Sequence, residues 1–247
     1  MNTSSGRTVL VTGGASGIGR GIAEAFVAAG DRVVVADIDP AAAASTAQEI
    51  GAGHVRVDIG DADSIDAAVA AVTAEHGPIE VLVNNAGLAA GGAPLVHLPV
   101  EVLDTVLRVN FRGTFLMTRA VGAHMMTHGT RGAIVNVSSI GARQPTPGLG
   151  HYEATKAAVD AITRSAAIEF AADGIRVNAV APGPVLTPMT AEFASNAEAR
   201  AAWESRIPSG RIAGVDDVVP SVVFLAGPGA AHITGVSLAV DGGQLLA

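Results

Sequence analysis

Seven short runs dominated by Val, Ile and Leu recur along the chain, each closed by turn-forming residues: TVLVTGG (8–14), RVVVADID (32–39), HVRVDIG (54–60), EVLVNNAG (80–87), AIVNVSS (133–139), IRVNAVAPG (175–183) and VSLAVDGG (236–243). Near-continuous aliphatic side chains, in place of in–out alternation, mark strands covered on both faces, as in a parallel sheet. Ala-rich segments of helical length fill the gaps, at 18–29, 41–50, 62–76, 100–126, 152–171 and 215–226. Strand and helix alternating from end to end predict an α/β fold, a doubly wound sheet with helices on both faces. A chain of 247 residues suits one domain of this kind, spanning 1–247. One stretch breaks the alternation: 184–213 is rich in Ala, Pro, Ser and charge and carries Trp203, the only tryptophan. Ligands of such sheets bind beyond the carboxyl ends of the strands, so a segment following NAVAPG is placed to act as a substrate lid over 188–213.

Other classes are excluded by simple counts. No apolar run approaches the roughly 18–20 residues needed to cross a bilayer, and the polar start from Met1 to Arg7 lacks the pattern of a secretory signal, so a soluble cytoplasmic protein without a membrane partner is expected. The absence of cysteine removes disulfides, thiolate chemistry and Cys-based zinc sites. A net charge of −8 with scattered arginines offers no footprint for a phosphate backbone, so nucleic acid is not an expected partner. The histidines show no metal-ligand spacing, and no metal is expected.

VTGGASGIGRGIAEAF follows the first strand and opens the first helix. Gly13, Gly17 and Gly19 permit a tight turn, allow backbone N–H groups to approach a pyrophosphate, and set the phosphates at the positive end of the helix. A structural strand-to-helix turn would use the same residues. Asp37, ending the second strand, can accept hydrogen bonds from an adenosine ribose diol and would repel a 2′-phosphate, so NAD is the expected cofactor. Asp39, just before Pro40, is the more natural helix cap. Asp58 and the NNAG stretch (84–87) end the next two strands at the same edge, where they can line the adenine and ribose pocket; turn formation is an equally good use of Asn84.

Tyr152 and Lys156 are the only tyrosine and lysine of the chain, four residues apart on one predicted helix. A lysine near a phenol favours the phenolate, lowers the tyrosine pKa and makes it a proton donor and acceptor near neutral pH. Every other basic side chain is arginine, so the one lysine stands where a compact ammonium differs in chemistry from a planar guanidinium. Ser138 and Ser139 end the fifth strand, where a hydroxyl can meet a substrate oxygen or form a turn. Leu103, Val106, Leu107, Asn110, Thr114 and Met117 fall on one helical stripe, which places the Asn110 amide among apolar neighbours, where it needs partners. A satisfied core Asn joining helix to strand accounts for it equally well.

TGxxxGxG, a strand-end Asp, NNAG, a mid-helix Asn, a strand-end Ser and YxxxK, in this order over nearly the whole chain, resemble the short-chain dehydrogenase/reductase family. The resemblance implies a Rossmann fold with a seven-stranded parallel sheet, an NAD or NADP cofactor, and a homo-oligomer, tetramer or dimer. It makes Tyr152 the acid/base, Lys156 the ligand of the nicotinamide ribose and the group that depresses the tyrosine pKa, and Ser139, rather than Ser138, the catalytic serine. Asn110 matches the residue that holds a water beside the lysine. Ser16 and Ile18 fall at cofactor-contacting positions of the glycine turn, and Asn85, Ala86 and Gly87 at those of NNAG. Pro182, Gly183, Val185 and Thr187 match PGxxxT, with Val185 and Thr187 toward the carboxamide. The common YxASK reads Tyr152-Glu153-Ala154-Thr155-Lys156 here, which keeps the hydroxyl after alanine. His151 should point elsewhere on the helix, as a structural or substrate-lining residue.

The activity so implied is NAD-dependent oxidation of a secondary alcohol, or the reverse reduction of a ketone. Candidate substrate positions are Ser139, Gly141, Gln144, Leu149, Val185, Met189 and the lid, a mixed set that leads toward an alcohol, polyol or sugar. A 3-oxoacyl reductase, a hydroxysteroid-type dehydrogenase and a dinucleotide-binding sensor without turnover stay open as alternatives.

Overall fold

The computed structural model describes residues 6–191 and 195–247. The seven aliphatic runs become β1 (Thr8–Thr12), β2 (Arg32–Asp37), β3 (Gly53–Arg56), β4 (Val81–Asn84), β5 (Ala133–Val137), β6 (Arg176–Pro182) and β7 (Ser237–Val240). They form one sheet in the order β3-β2-β1-β4-β5-β6-β7, with every neighbouring pair parallel. Chain order reverses between β1 and β4, the kind of switch point at which α/β sheets open a crevice for a ligand.

Eight helices are used below: α1 (Gly17–Ala28), α2 (Pro40–Ile50), α3 (Ala62–His76), α4 (Val100–Val106), α5 (Thr114–Thr127), α6 (Gly150–Phe170), α7 (Ala197–Glu204) and α8 (Val215–Ala226). Successive side chains of a strand point to opposite faces, and β1 shows both cores at once. Val9 and Val11 pack with Ile22 and Phe26 of α1 and Val218 and Val222 of α8, while Leu10 joins Ile65 of α3, Met117 and Val121 of α5 and Ala166 of α6. Two-sided burial explains why the strands lack polar alternation. Register follows the same chemistry, with Leu10 flanked by Val34 and Leu82. Burying a side chain such as Phe26 stabilises the fold by about 1.5–3 kcal/mol.

The predicted single helix over 100–126 differs in one respect. Between α4 and α5 the backbone widens into a π segment, Leu107–Gly113, where hydrogen bonds close to the fifth residue instead of the fourth. Two anchors coincide with it: Asn110 is bonded to Leu88, and Gly113 sits so close to Ile59 that an added Cβ would lie 2.8 Å from its side chain. Within the expected lid, the chain makes a short 3₁₀ turn at Pro188–Thr190, the helix α7, and a bridge between Val185 and Ala213. Residues 192–194 of that lid lie outside the described residues. No helix among the described residues is long and apolar enough to cross a membrane.

Candidate active site

A cleft of about 450 Å³ opens along the carboxyl edge of the sheet. Its walls include Gly13, Ser16, Gly17, Ile18, Asp37, Asp58, Asn85, Ala86, Gly87, Ser139, Tyr152, Lys156, Pro182, Gly183, Val185 and Thr187, the predicted residues gathered from six strand ends and from α6. Gly19 and Asn110 stand behind the wall. Gly141, Gln144 and Leu149, expected near the substrate, do not line it.

The glycine turn has a reason for each small residue. Gly13 and Gly17 take left-handed φ values of +61° and +52°, which a side chain would strain. A Cβ at Gly13 would also lie 2.8 Å from the Cα of Ala86, and one at Gly19 would lie 2.2 Å from the Gly13 carbonyl oxygen and 2.4 Å from Asn85 Nδ2. Gly19 therefore serves packing of α1 against the turn. No side chain caps α1, so its positive end faces the cleft through Ser16, Gly17 and Ile18, as an anionic pyrophosphate requires. The turn is held from the other side: Asn85 donates from Nδ2 to the carbonyls of Thr12 and Gly13, each at 3.1 Å. Asn85 thus acts on the turn by its side chain, while Asn84 points into the protein and donates to Thr118 Oγ1 and Asn136 Oδ1. For Asn84 the ligand-contact alternative is set aside, since it is buried and away from the cleft.

The two acids after β2 separate as their positions predict. Asp39 caps α2, accepting from the amides of Ala41 and Ala42 at 2.9 and 3.2 Å. Asp37 lines the cleft, steadied by amides of Ala15 and Asp39, each at 3.2 Å. Asp58 is held by the Gly60 amide at 2.8 Å and by Arg108 at 3.1 Å. Burial pushes its pKa up, but the Gly60 amide and the Arg108 guanidinium outweigh this and leave the carboxyl below its ordinary value. Arg108 is a cleft residue that sequence reading missed. Gly60 makes room for it, since a Cβ there would lie 2.2 Å from its guanidinium.

At the other end, Tyr152, Lys156 and Ser139 share the cleft. Lys156 is 5% exposed and donates from Nζ to the Val137 carbonyl at 2.8 Å. Ser138, also in the cleft wall, spends its hydroxyl on the Lys156 carbonyl, to which it donates at 3.2 Å. Ser139 Oγ accepts from the Gly141 amide at 3.1 Å and hydrogen-bonds Tyr152.

One expectation needs correction here. The tyrosine pKa is raised, not lowered: burial pushes it up, the neighbouring Glu153 charge adds to that, and the Ser139 hydrogen bond opposes both. Lys156 lies with Nζ 5.5 Å from the ring centroid and is engaged by a backbone carbonyl, so in this arrangement the surroundings of the phenol, not the lysine, set its acidity. Lys156 itself is pushed down to about 8 by burial, against the pull of Asp160. Both ends of the Asn110 amide are engaged. Its Oδ1 accepts from the Leu88 amide at 2.8 Å, and Nδ2 donates to the Leu88 carbonyl at 2.8 Å and to Thr155 Oγ1 at 3.2 Å. The side chain therefore joins the π segment to the NNAG strand end and to α6, as a core Asn would. His151 is buried, donating toward the carbonyls of Ala89 and Ala90, each at 3.2 Å, and so is structural.

A glycine turn at a helix start, an acid at the next strand end and a Ser–Tyr–Lys wall beyond define a dinucleotide-dependent oxidoreductase. The family profile described as enoyl-(acyl carrier protein) reductase matches residues 13–244. The chain belongs to the short-chain dehydrogenase/reductase family, whose members bind a nicotinamide dinucleotide. It is 40% identical to the 2-(R)-hydroxypropyl-CoM dehydrogenase of Xanthobacter autotrophicus, over 96% of this chain and 97% of that protein. It is 40% identical to the sorbitol dehydrogenase of Cereibacter sphaeroides, over 97% of each chain. Among solved structures, the 3-ketoacyl-(acyl-carrier-protein) reductase of Brucella melitensis in complex with NADH superimposes with a TM-score of 0.91 at 39% identity, covering 98% of this chain and 99% of that one.

Proposed function

We propose that the protein is an NAD-dependent dehydrogenase that interconverts a secondary alcohol and its ketone, with an alcohol, polyol or sugar-like substrate. The observation that carries the reading is the shared cleft: Tyr152, Ser139 and Lys156 stand at one end, the glycine turn and Asp37 at the other. The residues fit a dinucleotide, because the left-handed glycines and the uncapped start of α1 form a cradle for two phosphates. Asp37 favours a free ribose diol over a 2′-phosphate by charge. Sorbitol dehydrogenase, a relative named for a polyol, supports the substrate class.

When bound, the nicotinamide supplies the acceptor or donor of a hydride. The roles of the chain's own groups follow from their positions. In reduction, the Tyr152 hydroxyl donates its proton to the carbonyl oxygen as the hydride reaches the carbon, and Ser139 donates a hydrogen bond to the same oxygen. A phenol kept protonated by burial suits this direction. In oxidation the phenolate takes the alcohol proton and the carbinol hydride leaves, the reverse of the same steps. Lys156 holds the nicotinamide ribose, and Val185 and Thr187 contact the carboxamide. Asn110 fixes Leu88 and the end of NNAG against α6, and a water beside Lys156 completes its family role. We also read residues 188–213 as the substrate lid and the protein as a cytoplasmic homo-oligomer.

The test is absorbance at 340 nm with NAD and NADP over a panel of secondary alcohols, polyols and their ketones. Turnover with NAD is expected, and Tyr152→Phe should lower kcat by about a hundredfold or more while still binding the coenzyme. Near-normal turnover in that variant would refute the assignment.

A further inference from the structure

The stripe of α6 that carries Tyr152 and Lys156 continues one turn further to Asp160, a carboxylate that the reaction described above does not use. It is 6% exposed, a costly place for a charge unless it is partnered. Its partners come from two other elements. Ser237 of β7 donates to Oδ1 at 2.9 Å, and Arg143, in the segment following β5, approaches Oδ2 at 3.5 Å while donating to the Ser237 carbonyl at 2.8 Å. Arg143 lies four residues after Ser139, so the same contacts tie the serine-bearing segment to α6.

Lys156, by contrast, meets neutral groups at its head. Nζ donates to the Val137 carbonyl of β5, and the nearest approach from the NNAG end is Gly87, where an added Cβ would lie 3.6 Å from Nζ and 3.3 Å from Asn110 Oδ1. Tyr152 on its own helix turns a ring face toward it at 5.5 Å. Asp160 stands one turn further along the same helix and, like Lys156, is buried; it lies beyond ion-pair distance of Nζ, and its charge works across that gap against the desolvation that favours the neutral amine.

We propose that Asp160 is a positioning residue of the active site, the buried counter-charge that keeps the Lys156 ammonium in place to bind the nicotinamide ribose, with Ser237 and Arg143 fixing its carboxylate. The inference rests on the reading of Lys156 as a coenzyme ligand. It assigns a role in coenzyme binding to a side chain that does not line the cleft.

The experiment follows NADH fluorescence on binding between pH 6 and 10, together with kcat/KM, in the full-length protein. In the wild type, binding should weaken as Lys156 loses its proton. In Asp160→Asn the midpoint of that loss should move to lower pH by roughly half a unit to one unit, and the alkaline limb of kcat/KM should move with it. Asp160→Glu, which keeps the charge, should stay near the wild type. Arg143→Met breaks the ion pair and the tie to the serine segment but leaves the carboxylate, so its midpoint should not fall. A purely structural role would lower the melting temperature of Asp160→Asn and Arg143→Met alike and leave both midpoints in place. If Asp160→Asn does not fold, Asp160→Ser, smaller and able to admit water, is measured in its place. A folded neutral variant with an unchanged midpoint overturns the proposal. If Lys156→Met leaves the pH dependence of NADH binding intact, the reading of Lys156 itself has failed, a different and separately visible outcome.

Discussion

Replacing Asn110 with alanine removes three hydrogen bonds at once, and their consequences differ. Thr155 Oγ1 keeps a partner, since it donates to the Tyr152 carbonyl at 2.6 Å. The Leu88 amide and carbonyl lose theirs, both at 2.8 Å, inside a junction where the π segment meets the strand end. An orphaned buried polar group costs about 1–3 kcal/mol, and Leu88 is only half-buried, so the lower part of that range applies to each. The sum is about 2–3 kcal/mol. For a domain of this size, each kcal/mol lowers the melting temperature by about 2–4 °C, which gives a drop of about 5–10 °C. Circular dichroism melts and urea titrations measure it directly. NADH affinity should fall in parallel, because Gly87, adjoining Leu88, lines the cleft. A variant that melts within about 2 °C of the wild type would show that the Asn110–Leu88 junction does not hold the strand end, and the reasoning would fail.

Asp37→Ser should raise the kcat/KM ratio of NADP to NAD at least about tenfold, equivalent to about 1.4 kcal/mol, as steady-state kinetics with both coenzymes will show; an unchanged ratio refutes the role of that carboxylate. The pH dependence has a definite sign for each direction. Because burial raises the Tyr152 pKa, the phenolate needed for alcohol oxidation forms only as pH climbs, so oxidation kcat at saturating coenzyme should increase from neutral to alkaline pH. Ketone reduction, which uses the protonated phenol, should hold near neutrality and decline on the alkaline side, and the opposite trends would refute the assignment.

The strands and most helices were legible because burial on both faces writes itself as unbroken aliphatic runs, and because Pro40 and the glycine turns punctuate them. The candidate site was legible for the related reason that cleft residues cluster at strand ends. Other features depend on partners that spacing alone does not report. The π segment changes hydrogen-bond partners without changing the apolar stripe, so 100–126 reads as continuous, and the altered phase hid Arg108. The roles of Asn84 and Asn85 are decided by Asn136, Thr12 and Gly13, which are distant in the chain. Tyrosine acidity was misjudged because a four-residue interval places the amine nearby yet says nothing of the water removed from the phenol, which decides the direction here.

The widened stretch at Leu107–Gly113 works as a mechanical joint between two rods. A wide turn of this kind absorbs one extra residue, so deleting a single residue there would close the ladder into regular α-helix with Val100–Val106 still in phase with Thr114–Thr127, but would withdraw the wall that Arg108 and Val109 present to the cleft. Chain length across this joint is thus locked to the mouth of the cleft, and a shortened homologue would have to rebuild its rim.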